Sequence, residues 1–201
     1  MVLKNEEVVM NMLPEQLSGM VLAGGFSTRM GRDKATLMLG DRSLLEHQVQ
    51  KLMHLGIQDV MLSGARQTLP GCRTVEDSYP HKGPLSGVHA CLAAAEQGAC
   101  LVLSVDVPLV PEEALATLIH AHQGGITALE HDERVEPLIA VYDCSLQREA
   151  ERLLKSEKTA IMRLLDGDLL HTVSWSGPAF LLTNCNTPED YEIIRTYWRK
   201  Q

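Results

Sequence analysis

Residues 19–34 read GMVLAGGFSTRMGRDK, and this stretch indicates both the fold class and the kind of ligand to expect. The apolar run from Gly19 to Ala23 predicts a buried strand that leads directly into a glycine-rich loop. Glycine lets a backbone approach a ligand closely and turn its N–H groups toward phosphate oxygens. Arg29 and Lys34 add positive charge that suits a polyphosphate. An ordinary strand-to-helix turn would explain one or two glycines, but not the cations beside them.

The loop follows neither of the two common nucleotide-binding patterns. No lysine in the chain directly follows a glycine, which excludes a P-loop. Gly24 and Gly25 are adjacent, so the spacing also differs from the GxGxxG pattern of dinucleotide-binding folds. The sequence therefore predicts a phosphate-binding loop of another type.

Outward from this loop, apolar runs alternate with stretches of helical period along the chain. Strands are predicted at residues 19–23, 59–63, 73–77, 99–105, 126–129, 138–142, 171–175 and 179–182, and helices at 43–55, 84–97, 111–123, 145–155, 159–165 and 187–198. Such alternation predicts an α/β fold with a mostly parallel central sheet and helices on both faces.

Composition limits the partners and the compartment. The chain has 201 residues and a formal net charge of −8, which argues against nucleic acid or an anionic membrane as partners. The five cysteines form no CxxC pair, so we expect free thiols and a cytoplasmic location. No segment reaches the roughly 20 apolar residues that a membrane helix needs. We expect residues 1–18 to be a loose N-terminal extension and residues 19–201 to be a single domain.

Polar clusters follow three of the predicted strands, where open α/β sheets bind their ligands. They are the glycine-rich loop, Glu76-Asp77 and Asp106. A carboxylate beside substrate phosphates is a natural Mg²⁺ ligand, although Asp106 alone would also suit a helix cap. Asp77 suits either a hydrogen bond to a base or ribose, or a turn. His120, His122 and His131 suggest no metal cluster, and we expect them to be solvated.

The motifs LAGGFSTRMGRDK, EDS, GPLSG, VDVP, EPLIAVY and NCNTPED occur in this order. With them the chain resembles the molybdenum cofactor guanylyltransferases of the MobA type, over about residues 19–192. The resemblance implies a Rossmann-like, three-layer nucleotidyltransferase fold that binds GTP and Mg²⁺. It also implies transfer of GMP to the terminal phosphate of molybdopterin, with release of pyrophosphate and formation of molybdopterin guanine dinucleotide. Transient contact with molybdoenzyme maturation proteins is a further expectation.

The resemblance also implies roles for individual residues. The N-terminal half would bind GTP and the C-terminal half molybdopterin. The expected catalytic residues are Arg29, Lys34 and Asp106, with Asp106 also the Mg²⁺ ligand. The expected nucleotide- and cofactor-binding residues are Leu22, Ala23, Gly24, Gly25, Lys34, Ser63, Asp77, Asp106, Asn184 and Asn186.

Two positions bear on how far the resemblance extends. Members of the family often carry asparagine where this chain has Ser63, which puts that nucleotide contact in question. Related cytidylyltransferases usually read LAAG where this chain reads LAGG, and Gly24 removes a methyl group where a purine must fit. The alternatives are a cytidylyl- or sugar-phosphate nucleotidylyltransferase of the same fold, or a non-catalytic nucleotide-binding accessory protein.

Overall fold

The structure is a computed structural model that describes residues 12–24 and 33–200. Within these residues a seven-stranded sheet has the order β5-β4-β1-β6-β8-β7-β9. The strands are β1 (Leu17–Leu22), β4 (Asp59–Ser63), β5 (Cys72–Val75), β6 (Ala99–Ser104), β7 (Ile126–His131), β8 (Arg134–Asp143) and β9 (Leu170–Ser174), and a separate two-stranded hairpin consists of β2 (Met38–Leu39) and β3 (Arg42–Ser43). Within the seven-stranded sheet of the described residues, β8 alone runs antiparallel to the other strands, and the β2–β3 hairpin is antiparallel as well. The predicted α/β fold with a mostly parallel sheet is confirmed.

Helices cover both faces of the sheet. They are α1 (Leu44–His54), α2 (Pro84–Ala94), α3 (Glu112–Ala121), α4 (Gln147–Lys155) and α5 (Pro188–Trp198). The apolar residues of α1, α3 and α5 share one core cluster, whereas those of α2 and α4 pack in a second cluster on the other face. The central strands β1 and β6 are buried along their whole length, which explains their continuous apolar runs.

The register of the central strands brings the predicted polar clusters to one edge. Leu22 at the end of β1 pairs with Ser104 on one side and with Ser63 on the other, and Ser63 pairs with Val75. The residues that follow these strand ends therefore emerge together at the carboxyl edge. This is where open α/β sheets bind ligands.

Several predicted elements differ from the structure. Residues 179–182, predicted as a strand, form a 3-10 helix that follows Pro178, in which Leu181 N–H donates to the Pro178 carbonyl at 3.1 Å. A four-residue apolar run does not distinguish strand from helix by its period. The predicted helix 159–165 shrinks to a 3-10 helix at Ile161–Leu164, and the helix predicted to Gln97 ends at Ala94.

Other differences lie at the beginning of the sheet and in the cysteines and helices. β1 starts at Leu17, two residues before the predicted domain boundary, and the division into an extension and one domain stays a prediction. All five cysteines lie in the described part of the chain and are free thiols. No helix within residues 12–24 and 33–200 is long and apolar enough to cross a membrane.

Candidate active site

Two glycines, Gly24 and Gly64, lie against each other at the carboxyl edge, where the loops after β1 and β4 touch, and we call this pair the glycine floor. Gly64 has φ +70°, and a methyl group placed on it would lie 2.7 Å from the Gly24 backbone nitrogen. A methyl on Gly24 would in turn lie 3.2 Å from Gly64 Cα. Ala23 N–H continues the ladder by donating to the Ser63 carbonyl at 2.9 Å. Packing within the chain thus favours glycine at position 24, independently of the purine that the resemblance implies.

Asp106 stands beyond the end of β6 with few partners. Its Oδ1 accepts a hydrogen bond from Ser104 Oγ at 2.5 Å, and its Oδ2 lies 3.8 Å from Lys34 Nζ. The side chain is 24% exposed, so it remains accessible to a ligand. Its backbone carbonyl accepts from Cys185 N–H at 2.7 Å, which ties it to the segment before α5.

Lys34, near the start of the described chain, contacts both Asp106 and Asn186, which lies near its end. Its ammonium donates to Asn186 Oδ1 at 2.6 Å while it faces the Asp106 carboxylate. A carboxylate oxygen and an amide oxygen thus converge on one positive charge. Oxygen atoms of this kind are the ligands that Mg²⁺ and related hard cations take, and the residues present fit such an ion.

Local capping holds Lys34 in place. Lys34 opens a short 3-10 helix, Lys34–Thr36, and Asp33 is its N-cap, accepting from Ala35 N–H at 3.0 Å. Asp33 also lies 3.9 Å from Arg66 Nε. Its contacts therefore shape the loop next to Lys34.

Asn186 is held by the cap of α5. Thr187 Oγ1 accepts from Asp190 N–H at 3.1 Å, and Asp190 Oδ2 accepts from Asn186 N–H at 3.0 Å and from Thr187 N–H at 2.8 Å. Burial by itself would raise the pKa of Asp190, but these hydrogen bonds and the charge of Lys34 lower it overall. A negative charge at this helix start also suits the helix dipole.

Asp77 forms a second polar point, on the far side of Gly24. Its Oδ1 accepts from Ser63 Oγ at 3.0 Å, and Ser63 is buried. Gly87 brings α2 close to this point, because a methyl on it would lie 2.6 Å from Ser63 Oγ and 2.9 Å from a Leu22 methyl. Tight packing of α2 on the sheet thus explains Gly87. The Ser63 hydroxyl donates its hydrogen bond to Asp77, so this serine has a partner within the chain at the position where family members often carry asparagine.

The predicted site residues that the structure describes lie at two polar points of the carboxyl edge and in the backbone near them. Lys34, Asp106 and Asn186 meet in one contact network, and Ser63 pairs with Asp77. Leu22, Ala23 and Gly24 contribute backbone between these two points, while Asn184 accepts from Asn186 N–H at 3.2 Å through its carbonyl. Gly25 and Arg29 lie outside the described residues, so their predicted roles stay predictions.

Sequence reasoning missed several polar residues around Asp106. Gln48 and Lys51 of α1 donate hydrogen bonds to the backbone of residues 104–108, which we call the Asp106 loop. Desolvation lowers the pKa of Lys51 to about 7. A signal was available for Gln48, since it lies four residues from both Leu44 and Leu52 on the apolar face of α1. Burial raises the pKa of Glu136, and the charge of Asp106 raises it further against the opposing effect of Arg134.

His122 is not the solvated residue that we expected. It is buried after the end of α3, with Nδ1 3.0 Å from Thr127 Oγ1 and Nε2 3.1 Å from Asp143 Oδ1. Within residues 12–24 and 33–200, no three His, Cys, Asp or Glu side chains form a group that would hold a metal ion. A cation at Asp106 would therefore take further ligands from substrate phosphates, as Mg²⁺ commonly does.

Comparisons with known proteins show which family and which fold this chain shares. Residues 19–173 match the family model described as the MobA-like NTP transferase domain. The chain is 37% identical over 183 residues to the molybdenum cofactor guanylyltransferase of Xanthomonas euvesicatoria pv. vesicatoria, and the match covers 88% of this chain and 93% of the relative.

Two solved structures share the fold. Molybdopterin-guanine dinucleotide biosynthesis protein A from Archaeoglobus fulgidus superposes with a TM-score of 0.77 at 24% identity, covering 92% of this chain and 100% of that one. A Mycobacterium tuberculosis protein solved in complex with manganese superposes with a TM-score of 0.69 at 18% identity, covering 90% of this chain and 98% of that one.

Proposed function

We propose that this chain, which belongs to the MobA-like NTP transferase family and to its molybdenum cofactor guanylyltransferases, transfers GMP from GTP to the terminal phosphate of molybdopterin. Family membership makes it an enzyme, a nucleotidyltransferase. The observation that carries the proposal is the convergence of Lys34, Asp106 and Asn186 at the carboxyl edge of the sheet. The contact network joins residues far apart in sequence and presents both positive charge and oxygen ligands to one point.

The reaction is an in-line displacement at phosphorus. A phosphate oxygen of molybdopterin attacks the α-phosphorus of GTP, and the bond from that phosphorus to the bridging oxygen breaks. Pyrophosphate leaves with the electron pair. The attacking phosphate is already ionised near neutral pH, since the second pKa of a phosphate monoester is about 6. The chain therefore needs no general base, and its contribution is positioning and charge neutralisation.

Lys34 supplies mobile positive charge to the triphosphate. Its ammonium, now shared between Asn186 and Asp106, can turn toward phosphate oxygens without leaving the edge of the sheet. Asp106 and Asn186 would hold a divalent cation, Mg²⁺ in this proposal, which when bound neutralises charge on the phosphates. The manganese in the Mycobacterium tuberculosis structure supports a divalent ion in this fold. Arg29 would add a further cation.

The nucleoside part of GTP would lie on the glycine floor, toward Asp77. A carboxylate accepts hydrogen bonds from the N–H groups of guanine, and Ser63 directs one oxygen of Asp77 by donating to it. Leu22, Ala23, Gly24 and Gly25 would line the floor with backbone. Molybdopterin would approach from the side of Asn184 and Asn186. The proposed location is the cytoplasm, with transient handover of the product to maturation proteins.

The test is turnover by the purified chain with GTP, Mg²⁺ and molybdopterin, followed by pyrophosphate release and by detection of molybdopterin guanine dinucleotide. Both products are expected in equal amounts, activity is expected to vanish with a chelator, and added Mg²⁺ is expected to restore it. Lys34→Met should lower kcat/KM by at least about 100-fold. Lys200→Met, which removes an exposed lysine, is the matched control. Nucleotide binding without pyrophosphate release would indicate an accessory protein instead.

A cytidylyltransferase remains the second candidate because of one observation. A methyl on Gly24 would lie 3.2 Å from Gly64 Cα, so packing within the chain favours glycine there whichever base is bound. The LAGG motif by itself therefore says less about the base than its steric interpretation implies. Calorimetry with GTP and CTP distinguishes the candidates: tighter binding of GTP supports guanylyl transfer, and equal or reversed affinities overturn it.

A further inference from the structure

We propose that Gln48 is a positioning residue that holds the Asp106 loop, and the role of that loop in catalysis rests on the proposed function. Gln48 lies on α1, is fully buried at 0% exposure, and touches neither Lys34 nor Asn186 in a hydrogen bond of the described residues. Nothing in the reaction itself requires an amide at this depth. Its bonds point to the loop instead.

The amide nitrogen of Gln48 bonds to the backbone on both sides of Asp106. Gln48 Nε2 donates to the Ser104 carbonyl at 2.7 Å and to the Val107 carbonyl at 3.0 Å. One side chain thus uses both of its N–H bonds on the two ends of a turn. The distance between these carbonyls, and hence the shape of the turn, follows from the position of that single nitrogen.

Lys51 determines which way the amide faces. Its ammonium donates to Gln48 Oε1 at 3.0 Å, so the oxygen faces a donor and the nitrogen faces the two carbonyls. The opposite assignment would place an oxygen against carbonyl oxygens and a nitrogen against an ammonium. Lys51 also donates to the Pro108 carbonyl at 2.6 Å, which adds a third point of attachment to the same loop.

The loop is held from its other side as well. Val105 N–H donates to the Leu22 carbonyl at 3.0 Å, and the Asp106 carbonyl accepts from Cys185 N–H at 2.7 Å. Gln48 and Lys51 therefore complete a set of backbone bonds that encloses Asp106. The carboxylate itself keeps only the Ser104 hydroxyl as a hydrogen-bond partner among the described side chains. The backbone around Asp106 is held by hydrogen bonds, while its carboxylate oxygens remain free to bind a cation. A preorganised metal-binding side chain needs this arrangement.

A leucine would be the ordinary residue at this position, because Leu44 and Leu52 lie one turn away on the same face and are buried. An apolar side chain would leave the Ser104 and Val107 carbonyls without the bonds that Gln48 donates. Among the described residues, the Val107 carbonyl would keep only the hydrogen bond from Val110 N–H at 3.3 Å, and the lost bonds would draw the turn toward other donors or water. We therefore expect Asp106 to be displaced and more mobile, and the affinity of the site for the cation to fall.

The experiment compares Gln48→Met, similar in length but without N–H groups, with Val49→Ala, which removes buried apolar contact from the same helix. The first measurement is hydrogen exchange at the Val105 and Cys185 amides, which needs no ligand. The second is Mn²⁺ binding in the presence of a non-hydrolysable GTP analogue. We expect Gln48→Met to speed exchange at both amides by about tenfold or more and to weaken Mn²⁺ binding by a similar factor. Val49→Ala should change neither, although it lowers thermal stability.

Exchange at these amides that matches Val49→Ala would overturn the claim that Gln48 holds the loop, and faster exchange with unchanged Mn²⁺ binding would overturn its positioning role at the cation. Should Gln48→Met fail to fold, Lys51→Met reports in its place with a smaller effect of the same sign, because Gln48 would lose its orienting donor. A wild-type chain that transfers no GMP would refute the proposed function, yet the exchange measurement would still decide whether Gln48 holds the loop. In an active enzyme, Gln48→Met should also raise the Mg²⁺ concentration needed for half-maximal rate more than it raises the KM for GTP.

Discussion

Both edges of the sheet carry partly buried carboxylates, but the two edges differ in how many hydrogen bonds those carboxylates accept. At the amino edge, the side chain of Asp59 is 6% exposed and accepts from Arg73 Nε at 2.7 Å, Arg73 Nη2 at 3.0 Å, Glu96 N–H at 3.1 Å and the Ser18 hydroxyl. At the carboxyl edge, Asp106 is 24% exposed and accepts only from Ser104 among the described side chains and amides.

Asp143 extends the same contrast. It also lies at the amino edge, where it accepts from Gly125 N–H at 2.6 Å and faces the buried imidazole of His122. Both partners lie in the connection between α3 and β7, so the contacts join the end of β8 to the segment that leads into β7. Closed networks of this kind hold strands together, whereas the open one around Asp106 leaves lone pairs for a ligand. The number of hydrogen-bond donors, rather than exposure, thus distinguishes Asp59 and Asp143 from Asp106, the acid that we propose binds a cation.

The largest test of this contrast is Asp106→Asn. We expect a fall of at least about 100-fold in kcat at saturating Mg²⁺, because a charge that stabilises the transition state is lost. The melting temperature should stay close to that of the wild type, since few bonds depend on the charge. Asp132→Asn, which changes an exposed acid in the β7–β8 turn, is the control for rate. A rate close to wild type would remove Asp106 from the site.

Asp59→Ala should show the opposite behaviour. It leaves Arg73, Ser18 and the Glu96 amide without their shared acceptor, and we expect a loss of about 2 kcal/mol in the free energy of unfolding. Urea unfolding measures this loss, and steady-state rates under folding conditions should be unchanged. Lost activity in a stably folded Asp59→Ala protein would contradict the division between the edges.

The pH dependence of stability sharpens the same point. Burial by itself would raise the pKa of Asp59, but hydrogen bonds from Arg73, Ser18 and the Glu96 amide lower it overall. A carboxyl with a lowered pKa in the folded state contributes stability above its unfolded pKa of about 3.9, and the contribution is lost as the pH falls through the folded value. The stability gap between the wild type and Asp59→Ala should therefore narrow in acid. A gap that stays constant through this range would count against the network.

Ser63→Ala tests whether the Ser63–Asp77 pair takes part in nucleotide binding, as we propose for the carboxyl edge. It removes the hydrogen bond that the Ser63 hydroxyl donates to the Asp77 carboxylate. We expect the KM for GTP to rise about fivefold, equivalent to about 1 kcal/mol, with kcat unchanged. An equal rise for CTP would show that Asp77 does not read the base.

Thr187→Ala is expected to have the smallest effect, and it concerns a residue that serves both stability and the site. Thr187 caps α5, and loss of such a cap costs roughly 0.5–1 kcal/mol. Because the same cap includes the Asp190 bond to Asn186 N–H, hydrogen exchange at Asn186 should also rise. Thermal unfolding and exchange together measure the two contributions, and unchanged exchange at Asn186 would assign the cap to stability alone.

Much of the fold could be predicted from the sequence because the signals are local. The apolar runs of β1 and β6 and the Thr187-Pro188 start of α5 depend on period and capping, which neighbouring residues determine. The rule that ligands gather at carboxyl ends then placed Asp77 and Asp106 on one edge. The antiparallel β8 escaped prediction, since strand direction depends on which neighbour a strand pairs with rather than on its own residues.

The layered α/β architecture, the family and the acids at the strand ends could all be read from the sequence, because periodicity, capping and ordered motifs each depend on short stretches of residues. The folded structure was needed to show that Lys34 meets Asn186 across 152 residues, that Gly24 packs against Gly64, and that Gln48 donates to the backbone on both sides of Asp106. Each of these is a contact between segments that the chain brings together on folding, and the hydrogen bonds of a buried polar group depend on what arrives beside it.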